Sequence, residues 1–374
     1  MLTLIFDETL SGHHLEYLHH YYVGAIQRPD EKYVICIPSS FGEVKDKYKW
    51  PEAKNVKFEF IAADDEASLR KPGIYKHGWI ASRVLNRYVR DLKPDRVLLT
   101  TLMLFVPFIV FMLPSWVRVR GIMYKIYLYR EKSMPFLRLL TEKFRFWCLS
   151  KSRLIERVFV LNDHDSAETF NKLYHTDKFQ FLPDPVPSVD RSKVHDIRKE
   201  LNIPQDKKVF LHFGGLSDRK GTLDILDAIG LCSKEDLADK TFIFAGHQSK
   251  NLEPLFSARY NFVKDKAQIL VFNEFCSYDF LYNLCYTCDV ILMPYHLTDL
   301  SSGVLGYASV FNKPVVGPSD GLIGRLIRQY NFGLALDEIS AKSLELAFCC
   351  PIVCDSKNYV AKNDVHAFIS SILV

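Results

Sequence analysis

The residues best placed to do chemistry lie in Val209-Phe-Leu-His-Phe-Gly-Gly-Leu-Ser-Asp-Arg-Lys-Gly-Thr222. An apolar run ends in Gly214 and Gly215, a short polar loop presents Arg219 and Lys220, and an apolar helical pattern follows from Leu223. This combination suits an anion, most of all a diphosphate. Glycines let backbone N–H groups approach phosphate oxygens, a helix N-terminus adds partial positive charge, and two cations neutralise the rest. Gly-x-x-x-x-Gly-Lys-Ser/Thr cannot be laid on these residues, and Gly-x-Gly-x-x-Gly is missing, so this is neither a Walker loop nor a dinucleotide fingerprint. The plain alternative is an ordinary strand–turn–helix with solvated Arg219 and Lys220.

A second stretch, Val290-Ile-Leu-Met-Pro-Tyr-His-Leu-Thr-Asp-Leu-Ser-Ser-Gly303, runs from an apolar strand through a polar loop into a helix start. Ser301 and Ser302 offer cap chemistry, and the first N–H groups of the helix, at Ser302, Gly303 and Val304, are free for a second anion contact. Two such helix starts in one domain suit a nucleotide diphosphate.

The elements that must position these loops alternate between short β runs and helical stretches, the pattern of an α/β fold with parallel sheets. In the first half, strands are expected at 2–6, 33–38, 56–61, 96–100, 117–123 and 157–161, with helices near 13–26, 74–92, 103–113, 134–150 and 164–173. Pro183-Asp-Pro-Val-Pro187 is a linker, because three prolines in five residues continue neither a helix nor a central strand. Beyond it, strands are expected at 208–213, 242–245, 269–272, 290–294, 314–316 and 333–336, with helices between them and at 341–349 and 357–372. The expected division is 1–187, 188–354 and a helical segment 355–374 packing back toward the first domain. Two doubly wound domains would face a central cleft, with the ligand at opposed C-terminal strand ends.

With 374 residues the chain can bury two cores. Residues 97–113 are very apolar but are interrupted by Thr100, Thr101 and Pro107, so a buried strand and helix are expected rather than a membrane span. The N-terminus lacks the basic start of a signal peptide, and the nine cysteines are an odd number, which together point to reduced thiols in a cytosol. Cys285-x-x-Cys288 and the Cys349/Cys350/Cys354 group lack a suitably spaced His, so buried thiols are expected rather than zinc ligands.

The net charge of +4 is uneven: residues 1–187 carry 28 Lys/Arg against 22 Asp/Glu, and residues 188–374 carry 20 against 22. Residues 115–153 hold ten basic side chains (among them Arg120, Lys143, Arg145 and Arg153) with interleaved aromatics, and only Glu131 and Glu142 as acids. Such a segment fits anionic lipid, an acidic substrate or nucleic acid; a core helix with a solvated basic face is the plainer alternative.

On these motifs the chain resembles the retaining glycosyltransferases of family 4, which have the GT-B fold. The matching pieces are Gly214-Gly-Leu-Ser-Asp-Arg-Lys-Gly221, Phe244-Ala-Gly246, Asp289-Val-Ile-Leu-Met-Pro294, Asn312-Lys-Pro-Val-Val316 and the Asp184-Pro-Val linker, an ordered set over 180–340. The resemblance implies that Arg219 and Lys220 bind the donor diphosphate and stabilise charge as the glycosidic bond breaks. Gly214, Gly215, Ser301, Ser302, Gly303 and Val304 would line the donor diphosphate, and Phe272 to Phe275, with Glu274, would border the base. His247 would reach toward the donor sugar. The family's Glu-x7-Glu becomes Asp299 and Tyr307, which keeps one shorter carboxylate and replaces the ribose-binding one by a hydroxyl.

Gly12, His13 and His14 would meet the acceptor, and no counterpart is found of the His that many relatives carry late in the first domain. In that class the leaving phosphate itself can assist acceptor deprotonation. The expected activity is metal-independent, cofactor-free transfer from a nucleotide-diphospho-sugar to a saccharide or lipid-linked saccharide in surface polysaccharide assembly. Nucleic acid is not an expected partner; the inner face of an anionic membrane is, through 115–153. A non-catalytic glycan-binding or partner protein and a sugar-nucleotide epimerase of the same fold are the competing readings.

Overall fold

The computed structural model describes residues 1–10, 14–42, 50–70 and 73–374, with Ile74 and Tyr75 as backbone only. The chain forms two compact units, Met1–Pro183 with Val365–Val374, and Asp184–Asp364. The whole Asp184–Pro187 part of the proline-rich linker therefore groups with the second unit.

The first unit holds β1 (Leu2–Phe6), β2 (Lys32–Ile37), β3 (Val56–Phe60), β4 (Arg96–Leu99), β5 (Arg118–Met123), β6 (Ile155–Leu161) and β7 (Phe179–Leu182), ordered β3-β2-β1-β4-β5-β6-β7. All pairs are parallel, so β1 ends with Phe6 beside Cys36 on one side and Leu99 on the other. The strands are almost continuously apolar because helices cover both faces of a parallel sheet. β7 is an addition to the expected strands: Phe-Gln-Phe-Leu is short and runs straight into Pro183, which hides it in a single-sequence pattern.

Three further expectations are corrected. The helix expected at 103–113 is two short helices, Leu102–Phe105 and Ile109–Met112, because Pro107 between them has no N–H to give to the ladder. The strand expected at 290–294 stops at Leu292, before Pro294. The helix expected at 357–372 is Lys357–Lys362 in the second unit and Val365–Leu373 in the first. Asn363 stands at the break: its side chain donates to Tyr359 O in the preceding turn and accepts the N–H of Asp184 in the linker.

Val365–Leu373 packs against helix His14–Ile26. Phe368 meets Tyr17 at 5.1 Å and stacks on Tyr21 at 5.9 Å. Gly24 allows the approach, since a Cβ there would lie 2.4 Å from Ile369 Cγ2.

The second unit holds β8 (Lys208–Phe213), β9 (Lys240–Ala245), β10 (Gln268–Phe272), β11 (Val290–Leu292), β12 (Val315–Pro318) and β13 (Gly333–Leu336), ordered β10-β9-β8-β11-β12-β13 and all parallel. Cys285 and Cys288 are buried as expected, and burial pushes the Cys288 thiol up to about 12. Cys349 and Cys350, however, are exposed, a correction. They end helix Ala341–Cys349, whose inward face is already filled by Leu344, Ala347 and Phe348.

The basic segment also needs correction as a single charged face. Arg120 stands on β5 and is buried, its Nε and Nη2 donating to the two Glu156 oxygens at 2.8 and 3.0 Å, which holds the Glu156 carboxyl below its ordinary value. Arg145 donates to Glu142 and to Val106 O. Helix Phe136–Lys151 instead exposes apolar side chains: Phe136, Leu140, Phe144 and Trp147, at helical spacing on one stripe, are 75, 55, 46 and 50% accessible. Leu137 adjoins them, and Lys143 lies beside the stripe, pairing with Glu131. Among the described residues no helix is long and apolar enough to cross a membrane.

Candidate functional site

β8 and β11 are neighbours whose chain connections leave in opposite directions, β8 through β9 to β10 and β11 through β12 to β13. Such a switch point leaves a crevice at the carboxyl ends of the two strands, where open α/β sheets bind ligands. The two loops singled out by sequence both begin there.

The loop after β8 depends on glycine. Gly246 at the end of β9 has φ +136°, and a Cβ on it would lie 2.0 Å from Gly214 O; Gly221 has φ +69°, and its Cβ would lie 2.0 Å from Pro294 O. Backbone therefore touches backbone at both ends of the loop. Between them a 3-10 turn, Asp218–Lys220, precedes helix Thr222–Leu231. The Arg219 carbonyl accepts the His296 N–H at 3.0 Å, which ties this loop to the one after β11. His296 Nε2 in turn lies 2.8 Å from Asp224 Oδ2 on the helix.

Arg219 is exposed and Lys220 half-buried. Among the described residues neither is paired with a carboxylate; the Lys220 ammonium instead lies 5.2 Å from the Tyr295 ring centroid. Two cations without a carboxylate partner, on a loop held by its backbone, make this a locally positive patch.

His212 lies beneath them, fully buried on β8, and sequence reasoning passed over it as a strand residue. Its Nδ1 is 2.9 Å from Leu292 O and its Nε2 2.9 Å from Thr222 Oγ1. Thr222 Oγ1 also accepts the Ser217 N–H at 3.2 Å. A carbonyl can only accept, so Nδ1 carries the proton and Nε2 accepts from Thr222. Burial first, and then the nearby Lys220 charge, lowers the His212 pKa to about 4, so the ring stays neutral. An apolar strand with one His just before a Gly-Gly turn was the signal available.

In the loop after β11, Ser301 Oγ donates to Asp184 Oδ2 at 2.6 Å, so the linker residue holds the approach to helix Gly303–Phe311. Ser302 precedes that helix without a side-chain cap bond, and among the described residues the N–H groups of Gly303 and Val304 meet no acceptor. Asp299 is buried. Tyr307 is also buried, with its ring edge-on to Phe213 at 5.4 Å and 5.8 Å from Tyr282, so its ring fills an aromatic cluster.

The remaining donor candidates stand at the ends of neighbouring strands. His247 is exposed and its carbonyl accepts the Leu216 N–H at 2.9 Å. Phe272 ends β10, its carbonyl accepts the Gly246 N–H at 2.9 Å, and its ring meets Phe280 at 5.0 Å. Glu274 and Phe275 are exposed just beyond it. One edge of the second sheet therefore gathers Gly214, Gly215, Arg219, Lys220, His247, Phe272 and the 299–307 segment. Of the acceptor candidates, Gly12 and His13 lie outside the described residues; His14, in the first unit, pairs with Asp7. Among the described residues no group of three or more His, Cys, Asp or Glu is placed to hold a metal ion.

No protein-family model matches this chain, and no curated protein sequence matches it significantly. Solved structures do. HepE of Anabaena in complex with UDP-glucose is 15% identical, with 100% of this chain and 98% of that one covered, at a TM-score of 0.69. WaaG, a glycosyltransferase involved in lipopolysaccharide biosynthesis, is 13% identical, with 100 and 95% covered, at 0.65. Sucrose-phosphate synthase from Thermosynechococcus elongatus is 12% identical, with 99 and 94% covered, at 0.62. The chain has the GT-B fold. Identities this low carry the fold and not the chemistry, which must be argued from the site.

Proposed function

We propose that this protein is a glycosyltransferase of the family 4 type, taking a sugar from a nucleotide-diphospho-sugar and transferring it with retention, without a metal or cofactor. The observation that carries the reading is the uncompensated Arg219–Lys220 pair beside the free N–H groups of Gly303 and Val304. Donors of two kinds, fixed before any ligand arrives, stabilise a diphosphate more as its charge grows on bond cleavage. The fold shared with HepE, whose complexes hold UDP and UDP-glucose, supports a nucleotide sugar as the donor.

Asp299 would stand near the donor sugar. Tyr307, with its ring committed to the aromatic cluster, would offer the ribose at most a hydroxyl. His247 would face the sugar and Phe272 to Phe275 the base. The first unit would take a saccharide or lipid-linked saccharide, with Gly12, His13 and His14 among its contacts. Surface polysaccharide assembly is the setting these substrates suit.

The exposed stripe of helix Phe136–Lys151, with Lys143 beside it, fits the head-group region of an anionic bilayer: apolar side chains bury while the cation meets lipid charge. Liposome flotation tests this. Phe136→Ser with Trp147→Ser should weaken binding to anionic vesicles at least tenfold, and equal binding of variant and wild type removes the membrane from the reading.

A thermal-shift screen of UDP-, GDP- and ADP-linked sugars tests the donor, since a ligand held only by the folded state raises the midpoint. Donor hydrolysis or transfer that is lost in Asp299→Ala separates an enzyme from a non-catalytic glycan-binding protein, the second reading that the Tyr307 packing favours. No shift with any of the nucleotides would sink the transferase reading and leave the glycan-binding one.

A further inference from the structure

We propose that the first unit binds a phosphate-type oxyanion at the amino-terminal edge of its sheet, among Arg96, Arg120 and Arg157. The site uses no residue of the second unit and does not depend on the donor reading.

The pleat of the sheet brings these cations together. Thr3 of β1 is in register with Tyr33 of β2 and Arg96 of β4, and Arg96 with Arg118 of β5. Partners across a parallel ladder share a face and side chains alternate along each strand, so Arg96, Arg118 and Arg120 lie on one face. The β5–β6 register slips between Val119 and Arg120, which leaves Glu156 without a partner in the ladder and sets Arg157 opposite Arg120. Leu98, Ile122 and Phe159, each two residues further along that face, belong to the core beneath helices His14–Ile26 and Val365–Leu373. The arginines therefore occupy the rim of a covered face, where a parallel sheet ordinarily carries apolar side chains.

Their charge and their donors are incompletely answered. The Arg120 side chain is 2% accessible; Glu156 takes its Nε and Nη2, while Nη1 is buried without a partner among the described residues. Arg96 shares the same carboxylate, its Nε 3.4 Å from Glu156 Oε2, and that buried Nε makes no hydrogen bond among the described residues. Arg157 is half-buried, and among the described residues it meets no carboxylate at ion-pair distance. A buried guanidinium N–H left unmatched costs free energy that an arriving acceptor recovers.

The other charged groups of this edge do not close the gap. Tyr33 Oη donates to Glu31 Oε2 at 3.0 Å, Arg28 Nη1 to Gly24 O at 2.8 Å and Arg118 Nη1 to Ser115 O at 3.3 Å, and Asp95 Oδ2 accepts the Leu2 N–H at 2.7 Å. Arg28, Arg96, Arg118, Arg120 and Arg157 thus stand against Glu31, Asp95 and Glu156. Burial first, and then the Arg120 charge, pulls the Arg96 pKa below its ordinary value; Arg157 adds to this, and Glu156 and Glu31 oppose it. One more positive charge is disfavoured here and a negative one is favoured.

The guanidinium fork matches two oxygens of a phosphate. A tetrahedral anion has further oxygens for a second and a third arginine, which a planar carboxylate lacks. Inorganic phosphate and the phosphate of a lipid head group share this chemistry.

The test uses the full chain carrying Arg219→Ala with Lys220→Ala, so that the donor loop cannot answer for the anion. Thermal unfolding is followed in sodium phosphate and in sodium chloride at equal ionic strength. At about tenfold its Kd, phosphate should raise the midpoint by about 3 °C over chloride, because only the folded state holds it. Arg96→Gln and Arg157→Gln should each abolish that rise, and in chloride their midpoints should stay equal or increase as like charges are thinned out. Arg120 is left intact because its removal would strand the Glu156 carboxylate. An equal rise in both variants, or no rise over chloride in the parent, overturns the site. Flotation with phosphatidic acid vesicles separates the two sources. Vesicle binding lost in Arg96→Gln assigns the site to a lipid phosphate, whereas unchanged vesicle binding with the phosphate rise abolished assigns it to a soluble one.

Discussion

In both sheets the first strand is third in the order, with the next two strands on one side and the later ones on the other, so each unit has a switch point at the same topological place. The two places carry opposite chemistry. Beside β8 and β11 stand glycines, two cations that meet no carboxylate among the described residues, and helix N–H groups without an acceptor. Beside β1 stand Asp7, Glu8, His14 and His77, two carboxylates each holding an imidazole. Winding provides a crevice, and the residues after the first strand decide which charges line it.

The largest effect expected from breaking this contrast is at the cations. Arg219→Ala with Lys220→Ala should cut nucleoside-diphosphate affinity by at least about 100-fold in calorimetry, because two charge-assisted contacts are lost. Asp7→Asn should leave that affinity within about threefold; an equal loss in both variants would mean that the division of labour is wrong.

Next is the glycine scaffold of the second site. Gly221→Ala and Gly246→Ala each force a left-handed φ and drive a Cβ to 2.0 Å from a carbonyl oxygen. Each should cost about 3 kcal/mol or more in urea unfolding and weaken nucleotide binding with it. Gly24→Ala in the first unit meets only the side-chain ends of Ile369 and Leu373, which can shift, so about 1–2 kcal/mol is expected and nucleotide affinity should hold.

One buried histidine in each unit sets an acid limit. Burial lowers the pKa of His20 in the first unit and of His212 in the second to about 4. A neutral buried ring that ionises on unfolding binds fewer protons when folded, so stability falls as pH drops from the unfolded value near 6.5 toward 4. Each contributes a loss of about 3 kcal/mol by pH 4, read from urea midpoints across that range; His20→Gln and His212→Gln should each flatten the slope.

The smallest effect concerns the hydroxyl that links His212 to the loop. Thr222→Val keeps the shape but strands the Ser217 N–H and the His212 nitrogen, for about 1–2 kcal/mol, while Thr222→Ser should recover most of it. Loss of nucleotide affinity in Val but not in Ser would show that this buried relay positions Arg219 and Lys220.

Much of the second site was legible in the sequence because its parts are local. Gly214 to Gly221 form one loop, and Ser301 to Val304 form the next helix start. In the first unit His14 was singled out, but the Glu8–His77 contact was not legible, since the two are 69 positions apart and only the fold brings helix Ile74–Leu92 to Glu8. The ten cations of 115–153 show the same limit from the other side: as a count they suggest one basic face, yet Arg120 points into the sheet to Glu156 and the exposed stripe of the next helix is apolar.

What the sequence by itself determined was the alternation of strands and helices, the proline linker and the diphosphate-shaped loop, all set by spacing within a few residues. The tertiary structure alone decided that Val365–Leu373 joins the first unit, that His212 is neutral beneath the cationic loop, and that Glu8 meets His77. Each of these depends on which distant groups exclude water and which distant oxygens claim a proton, and neighbours along the chain do not carry that information.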